Sequence, residues 1–139
     1  MLQRTLVLIK PDAVYNLWID EIKQRYRDAG LKILSEYCRQ MARDDAAEFY
    51  AEHRGKFFFG GLLLAISSGP LVALIISGDD AVERVRKLNG ATNPDKAEPG
   101  TIRHDFKSAG GPFNTVHGSD SVEAAEREIA LMSRWGFTL

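Results

Sequence analysis

Two uninterrupted β-favouring apolar runs, Thr5–Ile9 and Leu71–Ser77, constrain this chain more than any other feature. Runs of that length and composition read as strands buried in a sheet. Pro11 cannot continue a central strand, so the first run ends near Lys10. Ser67-Ser68-Gly69-Pro70 breaks the chain before the second, and Gly78-Asp79-Asp80 punctuates it afterwards. The longest apolar stretches, Leu62–Ile66 and Leu71–Ile76, are far too short to span a bilayer. Lys10-Pro11-Asp12 interrupts any signal-peptide pattern, so the chain reads as cytoplasmic, with no membrane partner.

Between the runs, Ile19, Ile22, Tyr26 and Ala29 fall at helical spacing and predict a helix over Asn16–Ala29 stopped by Gly30. Leu31–Arg39 reads as a second strand. Asp45 with Glu48 reads as a capping box opening a helix through His53, and another short helix covers Phe57–Ile66. Val82, Val85 and Leu88 or Asn89 mark a helix ended by Asn89-Gly90. Asp120 with Glu123 is expected to cap a last helix with Val122, Ala125, Ile129 and Met132 on its apolar face. This order suits an α+β sandwich with a split βαβ arrangement, an antiparallel sheet covered by helices. At 139 residues it is one domain, 1–139. Eighteen Lys+Arg against nineteen Asp+Glu leave a net charge of -1, so any anion site is local and no nucleic-acid field exists. The single cysteine, Cys38, excludes an intrachain disulfide and a cysteine zinc site, and is expected as a small core side chain. His53 and His104 show no metal-ligand pattern and read as surface or packing residues.

A short strand, Thr115-Val116, delivers His117 into Gly118-Ser119-Asp120-Ser121, a glycine turn at a helix N-terminus. Backbone N–H groups and the helix dipole favour phosphate there. A neutral imidazole is a competent phosphoryl nucleophile once a neighbour fixes its tautomer, and Glu128, two turns into the helix, is placed to reach back. The plainer alternative is a histidine packed at a strand end. The stretch from Gly90 to Thr115 carries three of the five prolines and no apolar period, which marks a functional loop.

Thr5-Leu6-Val7-Leu8-Ile9-Lys10-Pro11-Asp12-Ala13-Val14 and Asn114-Thr115-Val116-His117-Gly118-Ser119-Asp120-Ser121 together resemble the nucleoside diphosphate kinases. Ser68-Gly69-Pro70, Thr92-Asn93-Pro94 and Pro99-Gly100-Thr101-Ile102-Arg103 agree in order, so the resemblance covers nearly the whole chain. It implies a ferredoxin-like domain that passes the γ-phosphate of a nucleoside triphosphate to a nucleoside diphosphate, with Mg2+, by a ping-pong route through phosphohistidine. His117 takes the nucleophile position, and Ser119 with Glu128 the pair that orients it. Lys10, Arg86 and Arg103 take the phosphate-binding positions, suited to charge stabilisation and bidentate grip. Thr92 matches a phosphate-bonding hydroxyl, Asn114 the residue that contacts the sugar hydroxyls, and Tyr50 the tyrosine near the histidine. Phe58 matches the stacking aromatic, in a Phe57-Phe58-Phe59 run of which at least one member is expected in the core. Asp120 matches an acid near the metal-bound phosphates, or is the helix cap. The partners implied are nucleoside di- and triphosphates and further copies of the chain, as a homo-oligomer.

The chain departs from the family pattern at Tyr15–Asp20, where bulky Leu17 and Trp18 replace small residues, and at Phe57 and His104, in place of a proline and a glycine. The segment Ala109–Phe113 is one residue longer than usual. Two other readings stand beside it: a nucleotide-binding module of the same fold without turnover, and a single-stranded nucleic-acid binder, against which the neutral charge argues. A P-loop kinase is excluded because no Gly-rich loop ending in Gly-Lys-Ser/Thr occurs.

Overall fold

The computed structural model describes residues 1–139. Strands β1 (Leu2–Ile9), β2 (Lys32–Gln40), β3 (Pro70–Asp79) and β4 (Val116–Gly118) form one antiparallel sheet in the order β2-β3-β1-β4. The two apolar runs are the two central strands. Their alternate residues enter opposite cores, which explains why neither run alternates with polar residues. Leu6, Leu8, Leu71, Ala73 and Ile75 face one core, completed by α3 (Arg43–Phe49), α4 (Phe59–Ser67) and α7 (Val122–Arg134). Val7, Ile9, Val72, Leu74 and Ile76 face the other, against α2 (Ile19–Asp28), α5 (Ala81–Asn89) and α6 (Ile102–Asp105). Each buried Leu or Ile side chain contributes about 1.5–3 kcal/mol. No helix is long and apolar enough to cross a membrane.

Several local expectations are corrected. The helix expected from Asn16 is preceded by a separate short helix, α1 (Pro11–Tyr15), and the two are divided at Leu17, whose φ is 63°. Asp45 caps nothing: α3 starts after Ala42, with no side-chain cap, and a 3-10 turn follows at Ala51–His53. The cap of α7 is Ser121, whose hydroxyl accepts from the Ala124 N–H at 3.0 Å, and not Asp120. Cys38 is exposed on the edge strand β2 and is not a core residue. None of the phenylalanine triplet is fully buried. Phe57 is wholly exposed, Phe58 is 37% exposed, and Phe59 packs partly against the core.

Candidate active site

The register of the short strand β4 decides where the histidine points. His117 lies opposite Leu8 of β1, so it shares Leu8's face of the sheet, the face covered by α3 and α7. There its ring meets Phe49 edge-on, with centroids 5.1 Å apart. From α7, the Glu128 carboxylate reaches back and meets His117 Nε2 at 2.8 Å. The Ser119 hydroxyl, fully buried, donates to the same Glu128 oxygen at 2.7 Å. Burial works against the charge of Glu128, yet the hydrogen bonds from His117 and Ser119 outweigh it and hold the carboxyl below its usual range. An ionised Glu128 selects the tautomer with the proton on Nε2, leaving the Nδ1 lone pair of His117 free.

His117 and Glu128 line a cleft of about 1430 Å³. Lys10, Tyr50, Phe58, Arg86, Thr92, Arg103, Asn114 and Asp120 line it too, so the sequence-predicted residues converge on one site, with Ser119 directly behind it. Lys10, at the end of β1, is almost fully buried and donates to Asn114 Oδ1 at 2.7 Å. Burial, with the nearby Arg103 charge, lowers its pKa to about 8, against the pull of Asp12. Asn114 in turn donates to the Thr92 carbonyl at 3.1 Å. Burial, reinforced by the Glu128 charge, raises the Tyr50 pKa, so its hydroxyl stays a protonated donor. On α5, Arg84 is spent on the carbonyls of Asp79 and Ala29; exposed Arg86 and Lys87 both line the cleft, Lys87 being paired there with Glu83 at 3.3 Å.

Arg103 sits differently from a free phosphate clamp. It is buried and donates to the carbonyls of Asn114 (3.2 Å), Gly90 (2.7 Å) and Val116 (2.7 Å). A guanidinium has five N–H donors, so two remain for a ligand. At the far end of the cleft, Phe58 packs against His53 (5.4 Å), and Lys56 lies 5.7 Å above its ring. His53, read from sequence as a packing or surface residue, therefore backs the aromatic platform. Phe49 was also missed; only its position beside Tyr50 could have signalled it. No group of three or more His, Cys, Asp and Glu side chains is placed to hold a metal ion. Asp120, exposed at the rim and released from capping, suits an ion that arrives on phosphates, which bring most of its oxygen ligands.

A partly exposed histidine oriented by a buried carboxylate, a ring of cations and an aromatic platform in one cleft is an arrangement for phosphoryl transfer to and from a nucleotide. The sequence model of the nucleoside diphosphate kinase family matches residues 3–134. A nucleoside diphosphate kinase of Clostridium perfringens is 52% identical over 130 residues, 94% of this chain and 90% of that protein. One of Mycobacterium avium is 52% identical over 132 residues, 94% of this chain and 96% of that protein. Among solved structures, the Aquifex aeolicus enzyme superposes with a TM-score of 0.89 at 36% identity, covering 95% of each chain. The Halobacterium salinarum enzyme, solved in complex with CDP, gives 0.88 at 40% identity, over 97% of this chain and 98% of that one. The chain belongs to the nucleoside diphosphate kinase family, phosphotransferases that move phosphate between nucleotides with the help of a divalent metal.

Proposed function

We propose that His117 is the nucleophile and that it attacks through Nδ1. The observation that carries this reading is the 2.8 Å contact of Nε2 with Glu128, which leaves Nδ1 as the unengaged ring nitrogen. In the first half-reaction the Nδ1 lone pair forms a bond to the γ-phosphorus of the triphosphate. The bond from that phosphorus to the bridging oxygen breaks, and the diphosphate leaves with the electron pair. The proton on Nε2 stays between His117 and Glu128, whose negative charge balances the positive charge the ring acquires. The second half-reaction is the reverse, with another nucleoside diphosphate as acceptor, so one nucleotide pocket serves both.

Lys10 and Arg86 bind phosphate oxygens and stabilise charge on the transferring group, with Thr92 and the free donors of Arg103 beside them. Tyr50 donates its hydroxyl near His117, and Asn114 contacts the sugar hydroxyls and aims Lys10. Phe58 stacks on the base, a contact every base can make. Asp120, at the rim, would help to hold a Mg2+ ion brought in on the nucleotide, and that ion would supply screening of the phosphate charge. The chain works as a single domain over 1–139, in the cytoplasm and as a homo-oligomer. Incubation with magnesium and γ-labelled ATP, without acceptor, tests the reading: a covalent label stable to base and labile to acid is expected, absent in His117→Ala. Label that persists in His117→Ala overturns it.

A further inference from the structure

We propose that Asp12 is a positioning residue for phosphoryl transfer, whose carboxylate holds a strained turn at Thr115 that fixes Asn114 and His117 relative to each other. The proposal rests on the reading of His117 as nucleophile. Thr115 has a φ of 73° and no solvent exposure. For a β-branched residue that conformation is a genuine outlier. The Val116 N–H donates to the Asn114 carbonyl at 2.8 Å, closing a three-residue γ-turn around Thr115 of the rare positive-φ kind. Strain of this sort survives only where surrounding contacts over-determine it.

Those contacts are all present. Asp12 Oδ2 accepts from the Thr115 N–H at 3.0 Å and from the Ser108 hydroxyl. The Thr115 hydroxyl donates to the Phe106 carbonyl at 2.7 Å, and its carbonyl accepts from the Lys10 N–H at 2.9 Å. Arg103 grips the carbonyls on either side, those of Asn114 and Val116. Asp12 follows Lys10 by two residues, so a single short segment carries the buried cation and the clamp on the turn. That turn presents the Asn114 side chain to Lys10 at 2.7 Å and leads through Val116 to His117. The second carboxylate oxygen, Asp12 Oδ1, is buried without a partner. An unpaired buried carboxylate oxygen is costly, and retaining it fits a group placed for the Thr115 N–H and not for its own solvation.

The test is a double-mutant cycle. Asp12→Ala is expected to lower the single-turnover rate of His117 phosphorylation about 100-fold, the scale of a displacement of about 1 Å at a reacting group, with any rise in KM for magnesium ATP, through Asn114, well below that factor. Glycine adopts a positive φ without strain, so in a Thr115→Gly background the same substitution should cost less than about fivefold. Asp12→Leu, which fills a similar space but accepts no hydrogen bond from the Thr115 N–H, serves if Asp12→Ala does not fold. An equal loss of rate in both backgrounds, or a loss confined to KM, overturns the proposal. Were the parent protein to form no phosphohistidine, the nucleophile reading would fail by itself. The clamp would then be read from unfolding, where Asp12→Ala must cost less Tm in the Thr115→Gly background, and an equal cost overturns it.

Discussion

Glu128→Gln removes the charge but keeps the shape of the group that faces His117 Nε2. The Glu128 side chain is 6% exposed, and one of its oxygens receives both His117 Nε2 and the Ser119 hydroxyl. A glutamine oxygen can accept the same two hydrogen bonds, so the ring orientation and the tautomer survive. What is lost is the charge assistance: hydrogen bonds to a charged partner are worth about 1.5–3 kcal/mol against about 0.5–1.5 for neutral ones. The difference, roughly 1.5 kcal/mol, acts where the ring becomes cationic, and it converts to about a tenfold slower phosphorylation step. Rapid-quench measurement of His117 labelling under single-turnover conditions reads this step directly. KM for nucleotide should not move, because Glu128 stands behind the histidine. A Glu128→Gln protein that phosphorylates at the parent rate, or that loses only nucleotide affinity, refutes the assignment of charge to this carboxylate.

If Lys10 binds phosphate as proposed, its lowered pKa gives kcat/KM an alkaline limb near pH 8, since the free enzyme loses that cation as pH rises through the value. Bound phosphates favour the ammonium, so the limb in kcat lies at higher pH; coincident limbs would assign the titration elsewhere. The same shift predicts that fold stability gains from this group between about pH 8 and the unfolded value of 10.5, because there the unfolded chain binds more protons than the native one. Phe58→Ala should raise KM for nucleotides of every base, by the roughly 1–3 kcal/mol of a base–aromatic stack, with a smaller change in the phosphorylation rate. A base-selective loss would contradict stacking. Gly118→Ala would bring a Cβ within 2.8 Å of Asn89 Nδ2 and 3.0 Å of Val85 Cγ1, displacing the strand end beside His117. Thermal unfolding and labelling rate should both fall, and a protein unchanged in both would contradict the packing.

Much of this site was legible because its chemistry is local in sequence. His117 and Ser119 share one short motif, Glu128 follows two helical turns later, and Lys10 closes an apolar run whose meaning as a strand is unambiguous. Elsewhere local signals competed. Asp120 and Ser121 are both good N-cap residues one position apart, and only the helix phase decides that Ser121 caps and Asp120 is free at the rim. The helical period through Ile19, Ile22 and Tyr26 extends back to Asn16 and hides the break at Leu17. Cys38 looked like a core residue because composition does not tell an edge strand from a central one. Arg103 was readable as a cation in a loop. That three of its donors are consumed by backbone carbonyls depends on how the loop from Gly90 folds back onto β4, a long-range fact without a sequence signature. Thr115 was invisible for a sharper reason: a β-branched residue speaks for extended backbone, and tertiary contacts from Asp12 and Ser108 override it.

The ring nitrogen that carries the phosphate is the most direct test of the account. Protein labelled with 15N-histidine and phosphorylated by magnesium ATP would be examined by NMR for phosphorus–nitrogen coupling at His117. Coupling to Nδ1, with the proton retained on Nε2, is the result that the Glu128 contact predicts. Phosphate on Nε2 would mean that Glu128 must release the histidine before transfer, and the mechanism built on that contact would be wrong.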